Sequence, residues 1–292
     1  NFDDDEPYKP SSTMITQGLM HPDAGVVKKA ADIVAAAKKV VIVVGRGAQW
    51  SGAGDAVLKL GERTGALIAT TLLSKTFLNE CEYHGGISGT YGSRASIKLF
   101  EEADCVIGVG ATLNRYTTEH GYLYPNAKYV QIDVRPGLMM SGSRTADCFM
   151  QADARVGVEE LDKELERRQF KQTGYRTPDV KAKLSRHNID PAEFPLDPGT
   201  VDPREICMTL DEMAPPEIGV LSGSGMSSGF ASMIMTRRRS IVQGGHFFGC
   251  IGQMLPAAMG SVAATGKPLM LLDGDASVMM HLAEFETAVR YR

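Results

Sequence analysis

The five residues Asp273-Gly274-Asp275-Ala276-Ser277 hold the densest chemistry in the chain. Before them Leu269–Leu272 is a continuous apolar run of strand length, and after them Val278, Leu282, Phe285 and Val289 recur at helical spacing. A strand that feeds a tight glycine turn into a helix presents unpaired N–H groups and the positive end of the helix dipole, which suits a phosphate. Asp275 stands in the middle of that anion site, where a lone carboxylate repels phosphate unless a divalent cation lies between them. Mg²⁺ is held this way, by one or two carboxylates plus substrate phosphates. The plainer alternative is that Asp275 or Ser277 simply caps the helix. Asp273, placed before the turn, is expected to matter less than Asp275.

Two further turns belong with this one. Ser222-Gly223-Ser224-Gly225-Met226-Ser227-Ser228 follows a strand, and so does Gly244-Gly245-His246-Phe247-Phe248-Gly249-Cys250-Ile251-Gly252. In a parallel sheet such turns gather along one edge. Small residues let backbone and hydroxyl groups come close to a phosphate, although each turn alone also reads as a flexible loop. Of the six histidines, His246 is the one placed for substrate contact or proton shuttling. His21, His84, His120, His187 and His281 are scattered without metal-ligand spacing, and His281 reads as a helix-surface or packing residue.

In context these turns resemble those of thiamine-diphosphate enzymes of the acetolactate synthase and pyruvate decarboxylase superfamily. LMLLDGDASVMMHLAEFETAVRY is similar to the family's diphosphate-and-magnesium motif, which usually reads Gly-Asp-Gly-Ser; Ala276 replaces the third-position glycine. The resemblance implies that Asp275 is the Mg²⁺ ligand and that Gly274, Asp275, Ala276 and Ser277 bind the cofactor. GCIGQMLPAAMG resembles the segment in which a glycine carbonyl accepts a hydrogen bond from the cofactor's 4′-amino group, while an apolar residue two places on props its rings into a bent shape. That implies catalytic support from Gly249 and Ile251. Ser224, Gly225, Met226 and Ser227 fall on the family's diphosphate loop. Many carboligases have Gln and His where Met226 and Ser227 stand, so the reaction subtype stays open. The implied activity is decarboxylation and carboligation of a 2-oxo acid such as pyruvate, as in acetolactate synthase. The alternatives are a 2-oxo-acid decarboxylase, an aldehyde lyase, an acyl-CoA-handling lyase, or a non-catalytic nucleotide-binding or assembly module.

The elements that must position these turns alternate along the chain. Residues 1–20 read as a linker or arm, acidic and then rich in proline and serine. From 21 to 167, apolar strands at Val40–Val44, Leu67–Thr70, Cys105–Val109, Tyr129–Val134 and around Phe149 alternate with helices, which predicts a doubly wound parallel sheet. Residues 168–200 are charged and proline-rich, an interdomain connection. From 201 to 292 a second α/β alternation runs through strands Ile218–Leu221, Ser240–Gln243 and Leu269–Leu272. The fold class is therefore α/β with two doubly wound domains. The resemblance makes residues 21–167 a degenerate nucleotide-binding middle domain, which in relatives holds FAD, ADP or nothing. Gly45, Arg46, Gly47, Thr71, Leu72, Gly89, Thr90 and Asp133 stand where an adenine dinucleotide would be gripped: Gly45 and Gly47 could admit a pyrophosphate, and Asp133 a ribose hydroxyl.

Composition narrows the partners. A net charge of −4 gives no reason to expect nucleic acid, and Arg237-Arg238-Arg239 reads as a solvated cluster. No apolar run reaches bilayer length, so no membrane partner is expected and the cytoplasm is the expected compartment. Five widely spaced cysteines with no Cys-x-x-Cys pair read as small buried hydrophobes. The resemblance adds a homodimer or homotetramer with the site at a subunit interface. The chain starts at Asn1 and stops at Arg292 in a helical pattern, so a longer protein is expected. By the same resemblance, the activating glutamate lies before Asn1 and an asparagine Mg²⁺ ligand after Arg292. This stretch alone is then not expected to turn over a 2-oxo acid.

Overall fold

The structure is a computed structural model, and it describes residues 9, 10, 13, 18–137, 139, 140, 142, 144–185, 192–237, 239, 242–244 and 249–291. Strands β1 Val40–Val44, β2 Leu67–Thr70, β3 His84–Ile87, β4 Cys105–Val109, β5 Lys128–Asp133 and β6 Cys148–Gln151 form one sheet in the order β3-β2-β1-β4-β5-β6. Every pairing is parallel. The helices of this unit are α1 Ala24–Ala36, α2 Arg46–Trp50, α3 Gly54–Thr64, α4 Arg94–Glu101, α5 Arg115–Thr118, α6 Ala154–Arg167 and α7 Pro178–Leu184. Val40, Ile42 and Val44 pack to one side, with Val34, Leu60 and Leu161, while Val41 and Val43 pack to the other, with Leu99, Phe100 and Tyr129. Burial of both faces is why β1 is apolar throughout rather than alternating.

The three-stranded unit contains α8 Pro203–Met213, β7 Gly219–Ser222, α9 Met226–Ile234, β8 Val242–Gly244, α10 Met254–Thr265, β9 Leu269–Leu272, α11 Asp275–Met279 and α12 Glu284–Tyr291. Its order is β8-β7-β9, again parallel, with Ser222 level with Gly244 and Leu272. Cys207, Val220, Ala231, Ile234 and Met235 form its core.

Several expectations need correction. β3 was not anticipated, because His-Gly-Gly-Ile lacks an apolar run and pairs with β2 through a register shift. The stretch expected as a connection contains α7, started by Pro178 and capped by Thr177, and its Tyr175, Val180 and Leu184 are buried against the first sheet. The helix expected after Asp275 breaks into α11 and α12, and Leu282, Phe285 and Val289 are exposed. β9 falls on its expected run and is half-buried. Arg239 is not solvated: it is buried, and its guanidinium donates to the Asp211 carboxylate at 2.9 Å and to the Pro215 carbonyl at 2.9 Å. Cys250 is exposed, unlike the buried Cys105, Cys148 and Cys207.

The strand order of the first sheet reverses between β1 and β4, the place where open parallel sheets hold nucleotides. Here the crevice is closed by backbone. Gly45 N–H donates to Val109 at 2.9 Å, Gly47 N–H to Gly110 at 3.1 Å, and a Cβ on Gly45 would lie 2.2 Å from the Gly110 carbonyl oxygen. Gly45→Ala is therefore expected to destabilise the protein by about 1–3 kcal/mol, the usual range for forced overpacking, as read by urea denaturation. A melting curve indistinguishable from wild type would show that the two turns do not touch as described.

Candidate functional site

Each of the three glycine turns leaves the carboxyl end of a strand or enters a helix, and parallel pairing brings the ends of β7 and β9 together. Hydrogen bonds then join the turns into one structure. Ser224 Oγ donates to the Cys250 carbonyl at 2.9 Å, linking the first turn to the second. Gly252 N–H donates to Ser277 Oγ at 2.8 Å, linking the second to the third. Ser277 Oγ in turn donates to Asp273 Oδ2 at 2.7 Å. The circuit closes at Gly223, where an added Cβ would sit 1.7 Å from Asp273 Oδ1, so only glycine allows that approach.

This geometry changes two roles. Asp273 is not a bystander: besides Ser277 its carboxylate takes the Gly274 N–H at 2.9 Å, and it is half-buried against Gly223. Its spacing of four residues from Ser277 was the available signal. Nor does Ser277 act as a simple cap. The N-cap of α11 is Gly274, which makes no side-chain cap, and Ser277 is buried in the cross-link. Asp275 is exposed, and its carboxylate accepts only the neighbouring Ala276 N–H at 2.7 Å among the described residues.

The open side of the circuit has the donor set of a diphosphate cradle. At Gly225, Gly249 and Gly274 an added Cβ would meet nothing within 4 Å, in contrast to Gly223. Gly225 directly precedes α9, whose first N–H groups have no intrahelical acceptors. Ser228 in its first turn is buried with its hydroxyl unpaired among the described residues, a feature the sequence reading passed over. Met226 is 71% exposed and Ile251 47%, so both apolar side chains stand at the rim. Ser227 Oγ donates to the Ser224 carbonyl at 3.3 Å, and Ala276 is exposed. Among the described residues no group of three or more His, Cys, Asp or Glu could hold a metal by itself, so a cation at this turn would need oxygens of a ligand besides the Asp275 carboxylate. His246 lies outside the described residues. His281 is exposed, beside Gly252.

The nucleotide expectation fares differently. The Gly45 and Gly47 amides are taken by Val109 and Gly110, so this turn does not fit a pyrophosphate. Arg46 stacks on Trp50, 5.1 Å from the ring centre. Gly89 is packed on the Tyr116 carbonyl, which accepts the Thr90 N–H at 3.1 Å, and Asp133 accepts the Arg135 N–H at 3.1 Å. Thr71 and Leu72 are half-buried after β2.

Comparison with known proteins gives matches to two domain families of thiamine pyrophosphate enzymes. The thiamine pyrophosphate enzyme central domain matches residues 27–161, and the thiamine pyrophosphate enzyme C-terminal TPP binding domain matches residues 223–292, taking in the three turns except Ser222. Both matched stretches are thus similar to domains of thiamine pyrophosphate enzymes. Thiamine pyrophosphate and thiamine diphosphate are the same cofactor. Acetolactate synthase of Mycobacterium bovis is 27% identical over 287 residues, covering 96% of this chain and 45% of the relative. The acetolactate synthase large subunit of Parasynechococcus marenigrum is 27% identical over 98% of the chain and 46% of the relative. For the acetolactate synthase isozyme 3 large subunit of Escherichia coli the identity is 26%, over 91% and 47%. The chain thus spans about half the length of the curated relatives it matches. The central-domain match spans all six strands of the first sheet, and the TPP-binding match coincides with the hydrogen-bonded circuit.

Removing the Ser277 hydroxyl should loosen that circuit. Ser277→Ala is expected to destabilise the three-stranded unit by about 2 kcal/mol, since it leaves a buried amide and a carboxylate short of a partner. Asp273→Asn should do the same, whereas Asp275→Asn should leave stability unchanged. Thermal melts of the three variants check this ordering, and equal stability of all three would remove Asp273 from the circuit.

Proposed function

We propose that the complete protein is a thiamine-diphosphate- and Mg²⁺-dependent enzyme that decarboxylates a 2-oxo acid such as pyruvate and joins the product to a second carbonyl compound. The observation that carries this reading is the joining of three glycine turns at one sheet edge, with open space beside Gly225, Gly249 and Gly274 and an exposed Asp275. The relatives named acetolactate synthase support the choice of reaction. When bound, the cofactor supplies an electron sink for loss of CO₂.

The chain's own residues divide the work. The head of α9, with Ser224, Gly225, Met226 and Ser227, receives the diphosphate, where free amides and the helix dipole favour negative charge. Asp275 offers its carboxylate to Mg²⁺, flanked by Gly274, Ala276 and Ser277. Gly249 presents a carbonyl to the cofactor's amino group, and Ile251 gives its rings an apolar support. The working division is 21–167 and 201–292, in a cytoplasmic homodimer or homotetramer with the site at a subunit interface.

Asp275→Asn in the complete protein is expected to weaken Mg²⁺ and thiamine diphosphate together, by at least about tenfold each, because each holds the other. Calorimetry with both ligands measures this, and unchanged affinities would remove Asp275 from the site.

For the six-stranded unit the same reading favours a packing role over FAD. The Gly45–Gly47 turn spends its amides on its own backbone. The complete protein is expected to be colourless and to give no binding heat with FAD or ADP. Stoichiometric FAD in the purified protein would restore a nucleotide grip built on Thr71, Leu72, Gly89, Thr90 and Asp133.

A further inference from the structure

The loop after β2 reaches out of the six-stranded unit to the far end of α9. Lys75 Nζ donates to the Ala231 carbonyl in the last turn of that helix, and Asn79 Nδ2 donates to the Thr236 carbonyl just beyond it. On the opposite side the Asp211 carboxylate accepts the Thr236 N–H at 2.9 Å and the Arg237 N–H at 3.0 Å, and Arg239 holds Asp211 in place. A cavity of about 350 Å³ lies beside the joint, lined in part by Lys75, Asn79, Ser232, Met233 and Thr236. The cavity leaves part of this seam unpacked, and the hydrogen bonds of Lys75 and Asn79 cross it beside the cavity.

We propose that Lys75 and Asn79 are positioning residues that clamp the carboxyl end of α9, so that its amino end at Gly225 stays in register with the turns at Gly249 and Asp275. The proposal rests on the diphosphate reading of Gly225 given above. A nine-residue helix is a stiff rod of roughly 13 Å, so a tilt at one end displaces the other.

The clamp carries a pH signature. Burial pushes the Lys75 amine down to about 7; Asp211 and Cys207 pull it up, and Arg239 pushes it further down. Its folded value lies below its unfolded one, so the closed clamp favours the neutral amine, which still donates to Ala231. Docking therefore strengthens as pH rises through about 7 toward the unfolded value near 10.

The test uses the complete protein and the variants Lys75→Met and Asn79→Asp. Hydrogen exchange of residues 226–234 without cofactor should quicken in both, and thiamine diphosphate affinity with Mg²⁺ should fall about tenfold, a typical coupling between sites. From about pH 6 to about pH 8 the wild type should gain affinity relative to Lys75→Met, the sign required by the lowered amine. Unchanged exchange, or faster exchange with unchanged affinity, would overturn the clamp. A wild type that binds no thiamine diphosphate would overturn the functional reading and the positioning role with it. That failure shows in the wild type, whereas failure of the clamp alone shows only in the variants.

Discussion

The Ser277 hydroxyl is the point on which the site depends. It accepts from Gly252 N–H and donates to the Asp273 carboxylate, so one oxygen fixes two turns that lie 25 residues apart. Asp273 then presses on Gly223, and Ser224 returns to Cys250. Each bond is modest alone, but a charged acceptor in a half-buried setting makes the pattern hard to disturb singly. Gly225, Gly249 and Asp275, the residues proposed to face the cofactor, are left out of the circuit, with open space beside both glycines and Asp275 exposed.

Both halves of the chain use strand, glycine turn and helix, yet they use the glycines for opposite ends. In the six-stranded unit Gly45 is small so that the chain can approach itself at Gly110, and its amide is satisfied there. In the three-stranded unit Gly223 serves that purpose, whereas Gly225 and Gly249 border open space with left-handed backbone. A nucleotide-binding topology and a nucleotide-binding turn are thus separable, because the strand order sets the crevice while the occupancy of the amides decides what can enter it.

Much of the fold was legible in the amino-acid sequence. Val40–Val44, Leu67–Thr70 and Cys105–Val109 fall where continuous apolar runs placed them, because parallel strands covered on both faces leave that pattern, and the half-buried Leu269–Leu272 also falls on its run. β3 was hidden because two of its four residues are glycine, and α7 because seven residues are too few to show a helical stripe. The periodicity of Val278, Leu282, Phe285 and Val289 was read as one helix, but turns after Met279 divide it. The three turns were visible as motifs and their order suggested a common edge. What bonded them was not visible: the roles of Asp273 and Gly223 arise from a contact between residues 50 positions apart, which no local pattern encodes.

Whether the three turns act as one cradle is decided by a double-mutant cycle. Ser224→Ala and Ser277→Ala break the circuit at different links, and thiamine diphosphate affinity in the complete protein is read for each variant and for the pair. A single cradle predicts a coupling energy of at least about 1 kcal/mol between the two positions, within the range for residues of one hydrogen-bond network. Strictly additive losses would contradict it and leave three independent loops.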